Sequence, residues 1–175
     1  SLDRRQRQMC IRDRNKSLLV FDEIQAGFGR TGKMFSFEHY DVEADLVICG
    51  KGISGSLPLS AVLGKSKLIE LDAAYTSTHG GHPVSCAAGI GNLEIFEDEE
   101  FLKNVNLKGK IMKDKLDTWK EKYPKRIQMI LGKGLLYGVF INDPKTNELD
   151  TNLTNIICER AMEKGAVSYT HLRAH

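Results

Sequence analysis

Asp45–Gly55 reads DLVICGKGISG. Leu46, Val47, Ile48 and Cys49 have the composition of a short buried strand, and the run stops at Gly50-Lys51-Gly52. An ammonium group beside a core is costly unless something uses it. The same arrangement occurs upstream. Leu18–Phe21 lead into Asp22 and Glu23, then into a turn punctuated by Gly27, Gly29 and Gly32. Leu59–Gly64 (LSAVLG) offers a third strand. Strands that carry polar residues at their carboxyl ends, separated by crossovers, predict an α/β sheet with its site beyond those ends.

Working outward, FSFEHYDVEA at Phe35–Ala44 reads as a short helix or loop. Past Pro83 the character changes. Ala88, Ile90, Leu93 and Phe96 predict a helix over Val84–Asp98. Phe101, Val105, Met112, Leu116 and Trp119 predict a longer amphipathic helix that Pro124 ends, with Trp119 and Tyr137 in the core. Gly134–Ile141 reads as a strand and Asn152–Lys164 as a final helix. The break between a larger α/β piece (15–97) and a smaller α+β piece (98–166) is expected near Glu97–Glu100.

The two ends differ in kind. RRQRQMCIRDR at Arg4–Arg14 and VSYTHLRAH at Val167–His175 have neither helical nor strand periodicity, and both resemble translated sequencing adapters. Met9–Asp13 can be encoded ATG TGT ATA AGA GAC, whose reverse complement encodes Val-Ser-Tyr-Thr-His, the residues from Val167 to His171. Residues 1–14 and 167–175 are therefore read as non-native, unable to pack, and outside the fold argument. They hold six of the 25 Lys+Arg and two of the 23 Asp+Glu, so the formal charge of +2 gives way to 19 basic against 21 acidic residues. The basic character, and with it any nucleic-acid reading, belongs to the ends. No apolar run approaches the ~20 residues that span a bilayer. Cys10, Cys49, Cys86 and Cys158 lack metal-binding spacing and suit a reduced, cytoplasmic protein.

An apolar strand ending in Asp-Glu could hold magnesium in a nucleotide hydrolase, but that needs a GxxxxGKS/T loop. Gly64-Lys65-Ser66 has Leu59 where the first glycine belongs, and Lys51 is followed by glycine. Three stretches point elsewhere: DEIQAGFGRTG at Asp22–Gly32, GKGISGSLPLSAVLG at Gly50–Gly64 and TSTHGGHPVSCAA at Thr76–Ala88. In this combination and order the sequence resembles the class III aminotransferases of the 4-aminobutyrate and ornithine type. These are pyridoxal-phosphate enzymes of fold type I.

The resemblance implies a role for each of four residues. Asp22 would face the cofactor's ring nitrogen and favour its protonated form. Gln25 would hydrogen-bond the phenolic oxygen. Lys51 would form the Schiff base and then act as general base, its flanking glycines letting the backbone bend close. Thr78 would bind the phosphate of the neighbouring subunit's cofactor in a homodimer. Glu23 would point to the other side of the strand, in a structural role, and Arg30 would be a charged loop residue. HGGHP at His79–Pro83 stands where the family usually has FGGNP; two histidines in a glycine turn without a carboxylate do not make a metal site.

The implied fold is α/β, part of a fold type I transferase: a piece of the large domain's mixed, mostly parallel sheet and a piece of the small carboxyl-terminal α+β domain. The implied reaction moves an amino group from an amino acid or ω-amino donor to a 2-oxo acid, with 4-aminobutyrate-like or diamino donors favoured. A racemase, aminomutase or decarboxylase on the same scaffold is the alternative. The family's upstream phosphate-binding turn, stacking aromatic residue and downstream carboxylate-binding arginine are not found in Asn15–Ala166, so the chain reads as an internal fragment expected to be inactive alone.

Overall fold

The structure, a computed structural model, describes residues 12, 14–70 and 77–168. Most of the adapter-like sequence, and Thr76 at the head of the third motif, lie outside the described residues.

Three strands form one sheet in the order β1-β2-β3: β1 (Val20–Asp22), β2 (Leu46–Cys49) and β3 (Ala61–Gly64). β1 and β2 run parallel with Asp22 level with Ile48, so their carboxyl ends share one edge of the sheet. β3 returns antiparallel on the far side of β2, with Ala61 opposite Cys49. The mixed sheet with its helices bears out the α/β expectation. Asp45 ties the start of this pair together by accepting the Leu19 N–H at 2.8 Å. That bond first, and the nearby Lys65 and Arg12 cations after it, hold its carboxyl below the usual range. Arg12 lies in the stretch read as unable to pack, yet its guanidinium stands 4.0 Å from Asp45 and donates to the Glu43 carbonyl at 3.4 Å. The half-buried Asp45 carboxylate attracts the cations within reach, and pairs this open to solvent contribute little to stability.

The core under the sheet is small: Phe28, Val47 and Cys49 are buried, with Phe35, Phe37 and Phe96 packed against them. Burial pushes the Cys49 thiol pKa up, and the Glu23 charge adds to the shift. A 3-10 turn covers Ser36–His39, and a second, Lys51–Ile53, follows β2 directly. The helices are α1 (Ser66–Ile69), α2 (Pro83–Glu97) and α3 (Glu99–Lys122). Proline at its first position starts α2 where no side chain caps it. Asn106 on α3 donates to the Gly32 carbonyl at 3.0 Å, which pins the end of the first glycine turn.

The chain divides into two compact units, one reaching to Gly109 and taking in Gly134–Leu136, the other made of Lys110–Lys133 and the residues from Tyr137 on. In the second unit β4 (Ile127–Lys133) pairs with β5 (Leu136–Ile141), and α4 (Thr151–Glu163) follows. Asp150 caps α4 by accepting the Leu153 N–H at 2.9 Å and takes an ion pair from Arg126 at 2.9 Å. Leu116 and Ile127 are buried. Trp119, expected in the core, stays 46% exposed less than one turn beyond Leu116. β4 was not predicted. Ile127 and the apolar run Met129–Leu131 suit a strand, but Gly132 and Gly134 make the stretch read as a turn.

Candidate functional site

The site forms where β1 and β2 end. Asp22 closes β1, and its Oδ1 accepts the Ile24 N–H at 3.0 Å, starting the turn that carries Gln25. β2 ends at Cys49, Gly50 follows in extended backbone, and Lys51 opens the 3-10 turn. Because the strands are parallel neighbours, both turns emerge at one edge. There the Lys51 Nζ donates to Gln25 Oε1 at 3.1 Å. Residues 26 positions apart in the chain are thus in direct contact. Asp22, Gln25 and Lys51 are all exposed.

The backbone around Lys51 departs from the expectation in one respect. The flanking glycines were to supply the bend, but Gly50 is extended (φ −172°) and Lys51 itself turns into left-handed space at φ +40°. Gly52 is needed for room: a Cβ there would stand 2.8 Å from the Phe28 Cβ. Phe28 is buried against Phe35 and Phe96, so it cannot yield. The Gly52 carbonyl in turn accepts the Asn92 side-chain amide from α2. Gly52, the neighbour of Lys51, is therefore packed against Phe28 and tied to α2 through Asn92. Sequence reading missed Phe28 and Asn92 as supports. The signal for Asn92 was available, a lone amide in the apolar run GIGNLEIF at Gly89–Phe96.

Glu23 is 0% exposed, and its carboxylate accepts three hydrogen bonds, from Ser36 N (3.0 Å), Ser36 Oγ (2.5 Å) and Phe37 N (3.0 Å). Arg30 is exposed, its carbonyl accepts the Leu135 N–H at 2.9 Å, and with Lys51 it lines an open cleft of about 610 Å³ floored by Phe28, Phe96 and Phe101. Thr78 lies in the exposed turn before α2. The contact shown between two of these residues is that of Lys51 with Gln25, and among the described residues no hydrogen bond joins Thr78 to Asp22, Gln25 or Lys51.

Comparison with known proteins gives a consistent picture. The sequence pattern of the family described as aminotransferase class-III matches residues 4–172. The chain is 38% identical over 172 residues to acetylornithine aminotransferase of Caldanaerobacter subterraneus subsp. tengcongensis, a match covering 95% of this chain and 41% of that protein. It is also 38% identical over 151 residues to the alanine/serine racemase of Pyrococcus horikoshii, covering 86% and 31%. Taurine:2-oxoglutarate aminotransferase of Bifidobacterium kashiwanohense, solved with PLP and glutamate, superposes with a TM-score of 0.82 at 27% identity, covering 91% of this chain and 38% of that one. The chain spans about two fifths of the length of such relatives.

Proposed function

We propose, from the premise that this chain belongs to the class-III aminotransferases, that the full-length enzyme containing it transfers an amino group to a 2-oxo acid with pyridoxal phosphate. The observation that carries this reading is the Lys51–Gln25 contact at the strand edge where Asp22 also ends. A carboxylate, an amide and a primary amine on one edge are the donor set that a protonated pyridine nitrogen, a phenolic oxygen and an aldehyde call for, so the residues fit the cofactor. When bound, the cofactor supplies an aldehyde that exchanges amines and a ring that takes up electrons.

The chain's own residues do the rest. Asp22 holds a proton at the ring nitrogen by opposite charge. Gln25 donates its amide N–H to the phenolic oxygen, its Oε1 being already turned to Lys51. Lys51 would hold the cofactor through Nζ, and the same amine would serve as the base that moves a proton off the substrate carbon. Thr78 donates its hydroxyl to the phosphate held by the partner subunit of a homodimer. The donor is an amino acid or ω-amino compound, with 4-aminobutyrate-like or diamino donors favoured. Similarity to an acetylornithine aminotransferase supports the diamino class. A racemase on the same scaffold is the second reading, favoured by similarity to the Pyrococcus horikoshii enzyme.

The same reading assigns 15–97 to the cofactor-binding domain, 98–166 to the small domain, and 1–14 and 167–175 to adapter-derived sequence. It places the enzyme in the cytoplasm. The unpaired thiols of Cys49, Cys86 and Cys158 support a reducing compartment. On this reading the isolated chain, about two fifths as long as such relatives, is expected to be inactive by itself.

Borohydride reduction of the full-length enzyme with its cofactor, followed by peptide mass mapping, tests the assignment. The pyridoxyl mass is expected on the peptide containing Lys51; label on Lys65 or Lys67 overturns it. Thr78→Ala is expected to weaken cofactor affinity about 10- to 100-fold, the value of a lost hydrogen bond to a charged group. Titration of the cofactor-free dimer reads this out, and unchanged affinity would make Thr78 a turn residue only.

A further inference from the structure

The proposed chemistry leaves one buried charge unused. Glu23 stands between Asp22 and the turn that carries Gln25, and every polar group it has is committed. Its N–H donates to the Ile48 carbonyl at 2.9 Å, on the strand that leads to Lys51. Its carbonyl accepts the Gly27 N–H at 2.9 Å, closing the turn around Gln25. Its carboxylate takes the three bonds from Ser36 and Phe37. Burying an ionised carboxylate is expensive unless donors surround it, and these three supply that compensation.

What the clamp holds matters more than what it costs. Successive side chains of an extended strand point to opposite faces. Fixing Glu23 on the Ser36 side therefore fixes Asp22 on the other. A second route passes through the loop itself. Phe35, next to the clamped Ser36, packs edge-on to Phe28 at 5.7 Å, and Phe28 occupies the space beside Gly52. Loop, strand end and lysine turn are thus linked through one carboxylate.

We propose that Glu23 is a positioning residue: its clamp on Ser36 and Phe37 sets the directions of the Asp22 carboxylate and the Gln25 amide relative to Lys51. The inference rests on the pyridoxal-phosphate reading of those three residues. Without the clamp the strand end rotates, Asp22 loses its alignment with the ring nitrogen, and less positive charge remains near Lys51. The pH midpoint of the loaded enzyme's visible absorbance would then rise.

The test uses the full-length enzyme with Glu23→Gln, which keeps size and removes charge, and Ser36→Ala, which removes one donor. In cofactor-free Glu23→Gln, amides of Ile24–Gly27 and Gly50–Gly52 are expected to exchange with deuterium at least about 10-fold faster than in the wild type, with α2 unchanged. In the loaded enzyme the pH midpoint of the visible absorbance change is expected to rise by roughly half a unit or more, and in Ser36→Ala by less. Faster exchange confined to Phe35–Phe37, or an unmoved midpoint in folded Glu23→Gln, overturns the proposal and leaves Glu23 a loop anchor. If Glu23→Gln does not fold, Ser36→Ala decides by the same two measurements. Should the wild type carry no cofactor on Lys51, the functional reading falls, and the exchange pattern still decides whether the clamp governs the strand end.

Discussion

Lys51→Ala in the full-length enzyme is expected to reduce turnover by at least about 10⁴-fold, because one side chain supplies both the nucleophile and the proton carrier. The fold should survive. Lys51 is exposed, and among the described residues its one side-chain hydrogen bond is to the exposed Gln25, so its removal leaves no buried group unpaired there. Circular dichroism and thermal melting should match the wild type while steady-state turnover vanishes. Added small primary amines should restore part of the proton transfer, because the space Lys51 leaves opens onto the cleft. Residual turnover within tenfold of wild type would show that another amine does the work.

Asp22→Asn is expected to cost about 10²- to 10³-fold in kcat, the scale of losing one preorganised electrostatic partner of the reacting system. This substitution is unusually clean. The Asp22 Oδ1 that accepts the Ile24 N–H at 3.0 Å has an equivalent oxygen in asparagine, so the turn to Gln25 can persist while the charge is lost. An amide cannot hold a proton on the ring nitrogen. The pH midpoint of the cofactor's visible absorbance should therefore rise, in the same direction as in Glu23→Gln and further. Near-normal kcat with an unmoved midpoint would mean that some other group protonates the ring.

Much of this site was legible because its logic is local. Apolar runs ending in Asp22 and in Gly50-Lys51 are strand tips on any reading, and the parity of Asp22 and Glu23 already sends one outward and one inward. The side-by-side placement of the two tips was not local. LSAVLG at Leu59–Gly64 reads the same whether it runs parallel or antiparallel to β2, and only tertiary pairing decides it. The contacts of Phe28 and Asn92 with Gly52 are likewise made across the chain, and no periodicity encodes them. β4 escaped because its short apolar run, Met129–Leu131, gives way at once to glycines at the turn into β5. The bend at Lys51 was placed on the wrong residue: glycines suggested freedom, whereas they provide clearance.

The left-handed backbone at Lys51 has a consequence for selection. A side-chain-bearing residue at φ +40° carries a penalty of roughly 1–2 kcal/mol that glycine escapes. The residue on which the chemistry rests is thus a thermodynamic liability at its own position. Lys51→Gly should melt at a higher temperature than Lys51→Ala. A library sorted only for yield or heat resistance should enrich glycine there and accumulate silent enzymes. Retention of this lysine across generations then measures selection on activity alone, since stability pulls the codon the other way.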